Sequence, residues 1–468
     1  MARRRKGSAP RPGRLSGRLD PALLLIVGGA FAAYSALSII RHETFRSTGF
    51  DLALFEQLIG HYSRLEAPAS AIKGLDSIFK DHVSPVLALL GPWYAIWQSA
   101  ACLLVAQAAL VAASAIAVFL YARPRVGRNC ALMLTGAYLL FGGVQEAIWI
   151  DLHEVAFAPL LIGAAVVLGD RGRWGWSFAA AVALLAVKED MSFLVAAIGV
   201  WYLLRGQRRL GVAAIVVGIG WILLVTEVLV PGYTYWRYSE FGASFPEAVR
   251  TIATAPWEVI EVAVNDPAKI KSTAYLFGAF FGLSLVSPLA VLTLPLLAER
   301  MLSDGAAHWT LESHYSLTIA PVLALAAADG LRRLGGRRPE LARRLPAAML
   351  AVAVLLTSAF PLIELVRPSF YSVPAPYHAA ADALATIPAD ASVAASNHLA
   401  PQLDGRANLT LLTEQPTSAD YVIAALDDSS PEGTFPHPNL AALRASVARE
   451  RASRRVLFER GGIVVLGP

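Results

Sequence analysis

The chain has 468 residues, 56% of them hydrophobic and only 16% charged, with a formal net charge of +5. A soluble domain carries about 25% charged residues, so with a mean hydropathy of +0.52 the composition argues against an ordinary soluble protein and predicts a polytopic membrane protein. Long like-charge runs with interleaved aromatics are absent, which argues against a nucleic-acid surface.

The N-terminus opens on Arg3-Arg4-Arg5-Lys6, with further arginines to Arg18, and then runs apolar from Pro21 to Ile40. That run suits a full span and exceeds the core of a cleavable signal, so it reads as an uncleaved anchor behind a cytoplasmic tail at 1–20. A polar first outer loop, 41–99, follows. Further spans are predicted at 100–121, 130–147, 210–230, 314–331 and 345–366, with shorter ones at 155–169, 175–187, 190–204, 272–286 and 288–300, roughly eleven in all. The loops 122–129, 170–174, 205–209 and 332–344 hold arginines and almost no acids beyond Asp170 and Glu340. By the positive-inside rule they face the cytoplasm. Cys102 and Cys130 then begin spans at opposite faces and read as packing residues.

From Arg367 the composition becomes that of a small soluble domain, 367–468, placed outside the membrane by the odd span count. Strands are expected at Ser392–Ala395, Leu409–Leu412 and Tyr421–Leu426, with helical stretches near 377–387 and 438–451. The end reads as a hairpin, RRVLFER and IVVLG joined by Gly461-Gly462. The predicted fold is thus an α-helical membrane domain over 21–366 with a small C-terminal α/β extracytoplasmic domain.

Five polar clusters fall on the outer side. The first holds Asp51 and Glu56 in GFDLALFEQ, the second Asp81 and His82 in KDHVSP. The third, QEAIWIDLHE, carries Glu146, Asp151, His153 and Glu154. The fourth is Lys188-Glu189-Asp190, set in an apolar run, and the fifth, HWTLESHY, holds His308, Glu312, His314 and Tyr315. Ionisable groups at membrane depth are costly and mark function by default. For the KED triplet this gives the rim of a wet cavity, against a plain turn whose charges neutralise one another. Asp51 reads either as a general base or metal ligand, or as the N-cap of LALFEQLI. Asp81 and His82 read as a cation or phosphate site, or as a helix start with Pro85 in its first turn. His153 and Glu154 have metal-ligand types without the spacing of a closed site. Arg41 and Arg46 read as interfacial anchors, with phosphate clamping as the alternative.

Taken together, FDLALFEQ, KDHVSPVLALLGPWY, DLHEVAFAPLL, KEDMSFLV and HYSLTIAPVLALAAADGLRRL resemble the bacterial membrane family DUF2079, as does SVAASNHLAPQLDGRANLTLL near the C-terminus. The chain departs from that family at DLHEV, where DFHPE is usual. The family in turn is similar to the GT-C glycosyltransferases. That resemblance implies a polyprenyl-phosphate sugar donor, chemistry on the outer face of the cell membrane, and a catalytic acid in the first outer loop, matched by Asp51. It also implies a later H-x-x-P element, matched by His82 and Pro85.

The expected function is transfer of a sugar to a cell-envelope acceptor, with Asp51, Asp81 and His82 in catalytic roles. Glu56, Asp151, His153, Glu154, Lys188, Glu189, Asp190, His314 and Tyr315 are expected to bind substrate. No cofactor is required by this reading, although Asp81 has the chemistry to share a divalent cation with a phosphate. The alternatives are a transporter of a small solute or lipid-linked intermediate, or a scaffold or sensor working through its C-terminal domain.

Overall fold

Asp20 opens the first helix, Pro21–Glu43: its carboxylate accepts the Ala22 N–H at 3.1 Å, and Pro21 occupies the first turn, where no amide is needed. The computed structural model describes residues 20–230, 236–406 and 408–468; the tail expected at 1–20 lies, apart from Asp20, outside them. Among the described residues four helices are long and apolar enough to cross a membrane: Pro21–Glu43, Ala100–Val126, Arg208–Leu229 and Pro339–Ala359. The helices Arg128–Leu139 and Gly142–Trp149, bent by 43°, make a fifth candidate.

The remaining expected spans are shorter or broken. Segment 155–169 starts as the 3₁₀ turn Glu154–Phe157 before the helix Ala158–Asp170. Segment 314–331 starts as His314–Ser316 and becomes helical over Ile319–Gly335. Between Pro267–Gly278 and Thr293–Met301 the chain makes two 3₁₀ turns, opened by a left-handed Gly282 and by Pro288. Three loops expected on one side do meet. Arg125 and Arg205 both pair with Asp170, and Arg128 with Asp20.

The C-terminal part carries five strands, β1 (Val393–Ala395), β2 (Leu409–Leu411), β3 (Tyr421–Ala425), β4 (Arg455–Arg460) and β5 (Ile463–Gly467), in the order β2-β1-β3-β5-β4. β1 runs parallel to β2 and β3, whereas β5 is antiparallel to β3 and β4. The β4–β5 hairpin turns on Gly461 and Gly462, at φ of 58° and 77°, a turn that only glycine makes without strain. One face of the sheet packs Leu443 and Val447 of the helix Leu440–Arg451. The other face receives Phe45, Phe50 and Ala53 from the first loop, so sheet and loop share one apolar core.

Hydrogen bonds reinforce that contact. Gln57 Nε2 donates to Leu409 O at 2.7 Å, and Gln402 Nε2 to His42 O at 2.8 Å. Glu56 belongs to this seam: it accepts from Tyr94 OH at 2.7 Å and from Gly405 N at 3.2 Å. Burial, reinforced by the charge of Asp404, pushes its carboxyl from 4.5 to about 8. The folded protein therefore holds a proton here that the unfolded chain gives up, so this contribution to stability is full below pH 4.5 and is lost as pH rises through 8. Glu56→Gln, which keeps an acceptor for Tyr94, should raise the Tm in detergent by an amount that widens as pH rises, by at most about 1.4 kcal/mol per pH unit. A gap that stays constant with pH would show that Glu56 does not titrate in this range.

Candidate active site

Ten of the residues expected at a site line one cavity of about 660 Å³: Asp51, Asp81, His82, His153, Glu154, Lys188, Glu189, Asp190, His314 and Tyr315. Asp51 sits inside the π turn Gly49–Ala53, which runs on into the helix Leu54–Ser63. The N-cap position belongs to Thr48, so the capping role considered for Asp51 is not realised. Its carboxylate accepts from Thr48 Oγ1 at 3.2 Å, and its side chain is 33% exposed on the cavity wall.

The DLHE segment divides between scaffold and cavity. Asp151 turns away, into a buried ion pair with Arg41, and accepts from Ser47 Oγ at 2.7 Å and Thr48 N at 2.9 Å. Gln107 spans the same stretch, donating to Asp151 O at 2.9 Å and accepting the His153 N–H at 3.0 Å. With the backbone so held, His153 and Glu154 point into the cavity. His153 Nε2 lies 3.6 Å from Asp51, and its ring stacks on His314 at 3.9 Å. Glu154 lies 3.6 Å from Lys188 Nζ.

The KED triplet lines the same cavity, in the turn before the helix Met191–Leu204. Lys188 stands 3.8 Å from Asp190. Burial opposes its charge, but Asp190, Glu154 and Glu189 together outweigh that and hold its ammonium well above the ordinary lysine range. Glu189 is 1% exposed; it contacts His82 Nδ1 at 2.7 Å and accepts the Val83 N–H at 3.0 Å. Pro85 opens the 3₁₀ turn Pro85–Leu90 behind Ser84, so the proline takes its expected place while neither Asp81 nor His82 is the cap. Burial, with Lys188 and Arg237 nearby, pushes His308 down to about 4, so it faces the cavity neutral.

Several expectations need correcting. Glu56 and Asp151 are not brought to the cavity, because their oxygens are taken by the seam and by Arg41. Arg41 is buried against Asp151 instead of anchoring at an interface, and Arg46 donates to the carbonyls of Phe370 and Ser369, so neither reaches a cavity ligand. Asp81 is paired with Lys73 at 2.7 Å. Among the described residues no three His, Cys, Asp or Glu side chains are grouped to hold a metal ion.

Sequence reasoning missed Lys73, Arg237, Tyr238 and Glu299, all in the cavity wall. Glu299 closes a segment read as a span, and an acid in an apolar run was the available signal.

The cavity lies in a bundle of apolar helices with a small sheet docked on the first loop, the build of a membrane protein. A similar solved structure is that of ArnT from Cupriavidus metallidurans bound to undecaprenyl phosphate, with a TM-score of 0.57 and 12% identity, covering 95% of this chain and 97% of that one. The family model for predicted membrane proteins of DUF2079 matches residues 41–448, and the chain belongs to that family. No curated protein matches the sequence.

The Arg41–Asp151 pair offers a test of the scaffold assignment, since its side chains are only 7% and 2% exposed. Asp151→Leu leaves a buried arginine unanswered and should cost about 3–5 kcal/mol, seen as a lower Tm in detergent. The double variant Arg41→Met, Asp151→Leu should recover most of that loss; equal losses in both would show that the pair is not what holds the turn.

Proposed function

We propose that the protein is a membrane glycosyltransferase that moves a sugar from a polyprenyl-phosphate donor to an acceptor hydroxyl of the cell envelope. The observation that carries this reading is the split duty of two adjacent residues: His153 stands against Asp51 and Glu154 against Lys188. A partly exposed carboxylate and a buried cation therefore face one cavity, whose walls continue into Leu58, Leu87, Ile222, Phe245 and Ile252. Such a space suits an amphiphile with an anionic head and an apolar tail. The likeness in fold to ArnT, solved with undecaprenyl phosphate, supports the same class of lipid here.

In the proposed reaction the acceptor hydroxyl gives its proton to Asp51 as its oxygen attacks the anomeric carbon. The bond from that carbon to the phosphate oxygen breaks, and its electron pair leaves on the phosphate, inverting the anomeric centre. Lys188, with His82 and Arg237, which also line the cavity, stabilises the departing phosphate. His153 holds Asp51 in place. With Asp81 engaged by Lys73, no step here uses a metal ion.

The proposed orientation puts the N-terminus in the cytoplasm and the cavity and residues 367–468 outside the plasma membrane, with short and broken helices completing roughly eleven passes. The convergence of Arg125, Arg128 and Arg205 supports that parity.

Native mass spectrometry of the detergent-purified protein tests the reading. Wild type and Asp51→Asn should both retain a polyprenyl-phosphate lipid, Lys188→Ala should lose it about ten-fold or more, and only wild type should transfer sugar. Absence of lipid phosphate from the wild type would move the assignment to transport or scaffolding.

A further inference from the structure

The turn that carries Asp51 has an unusual cap. A helix start leaves its first N–H groups without intrahelical partners, and the N-cap residue here, Thr48, makes no side-chain capping bond. Both N–H groups are answered from the C-terminal sheet by one residue, about 350 positions along the chain. Asn397 accepts the Gly49 N–H on its backbone oxygen at 2.7 Å and the Phe50 N–H on its side-chain oxygen at 3.1 Å.

Asn397 is itself 6% exposed and fixed on both sides. Before it, the Ser396 N–H donates to Ile423 O of β3 at 2.9 Å. After it, the His398 N–H donates to Glu432 at 3.0 Å. The approach is close enough to dictate the opposing residue: a Cβ at Gly49 would lie 2.6 Å from Ala400 Cβ and 2.8 Å from Leu411 Cδ2. The segment that leaves the end of β1, an interior strand of the sheet, thus grips the backbone one residue before Asp51.

We infer that Asn397 is a positioning residue, which sets the Asp51 carboxylate against His153 by capping its turn from the C-terminal sheet. The inference rests on the role proposed for Asp51 only for its consequence in catalysis; the clamp itself is a statement about structure. A shift of about 1 Å in a reacting group costs up to about 100-fold in rate, so a cap one residue away governs turnover without touching substrate.

The test uses the full-length protein in detergent, with undecaprenyl phosphate as the binding probe and hydrogen exchange as the structural readout. Asn397→Leu removes the side-chain acceptor, whereas Asn397→Asp keeps one. In Asn397→Leu the amides of 49–53 should exchange about ten-fold faster, while those of Tyr421–Ala425 stay as in wild type. Probe affinity should be unchanged, turnover should fall about 10–100-fold, and Asn397→Asp should restore most of both properties. Gly49→Ala, which meets Ala400 from the other side, should reproduce the exchange result. Unchanged exchange at 49–53, a parallel rise in the sheet, or a loss that appears only in probe affinity would each overturn the clamp. Absence of transfer in every protein, wild type included, overturns the glycosyltransferase reading, and the exchange data then judge the clamp alone.

Discussion

A charge taken out of water must be met by another polar group, and the Lys188-Glu189-Asp190 triplet imposes that demand at the centre of this fold. Leaving any of these groups unanswered costs several kcal/mol, on the order of 3–5 for a broken buried pair. Three separate segments supply the answers. The first loop brings His82 and the Val83 N–H to Glu189, the DLHE turn brings Glu154 to Lys188, and the Thr293–Met301 helix brings Glu299 beside Asp190. The cavity is the space these segments leave around the triplet. Its apolar extension follows from the helices that deliver them.

The first loop is consequently held from two directions. Below, Glu189 fixes the stretch at His82–Val83. Above, the sheet receives Phe45, Phe50 and Ala53 in its core and caps the Gly49–Ala53 turn through Asn397. This polar loop holds two short helices, a π turn and two 3₁₀ turns, with internal ties such as Asp81–Lys73 and Glu56–Tyr94. Its placement is further fixed by partners more than a hundred residues away in sequence, Glu189 at His82–Val83 and Asn397 at the turn that carries Asp51.

The elements legible in sequence were those set by local rules. The first apolar helix was readable from its length and composition, and the terminal hairpin from two glycines between RRVLFER and IVVLG, where β4 and β5 form. Strands β1, β2 and β3 likewise fall within a residue of the expected runs, although their parallel pairing has no local signal. The span count was less legible. Hydropathy counts apolar residues but does not see that Gly282, Pro288 and the turns at 154–157 and 314–316 divide those runs into pieces. Pairings across the chain were not legible at all: nothing near Glu189 announces His82, and nothing near Gly49 announces Asn397.

The same limit explains why residue type alone nominates too many functional groups. Asp151, Glu56 and Asp81 have the chemistry of a site, yet each is engaged at hydrogen-bond distance, by Ser47 and Thr48, by Tyr94, and by Lys73 respectively. Asp51 and Lys188 differ. Asp51 holds one long internal bond, from Thr48 Oγ1 at 3.2 Å, and the ionisable groups that face it and Lys188 stand at 3.6–3.8 Å, outside hydrogen-bond range. A group held in that way keeps its donor or acceptor capacity for a ligand, whereas one closed at 2.7 Å has given it to the fold. On that criterion DLHE is one motif with two duties, Asp151 bracing the backbone so that His153 and Glu154 can stand at a distance from the groups they orient.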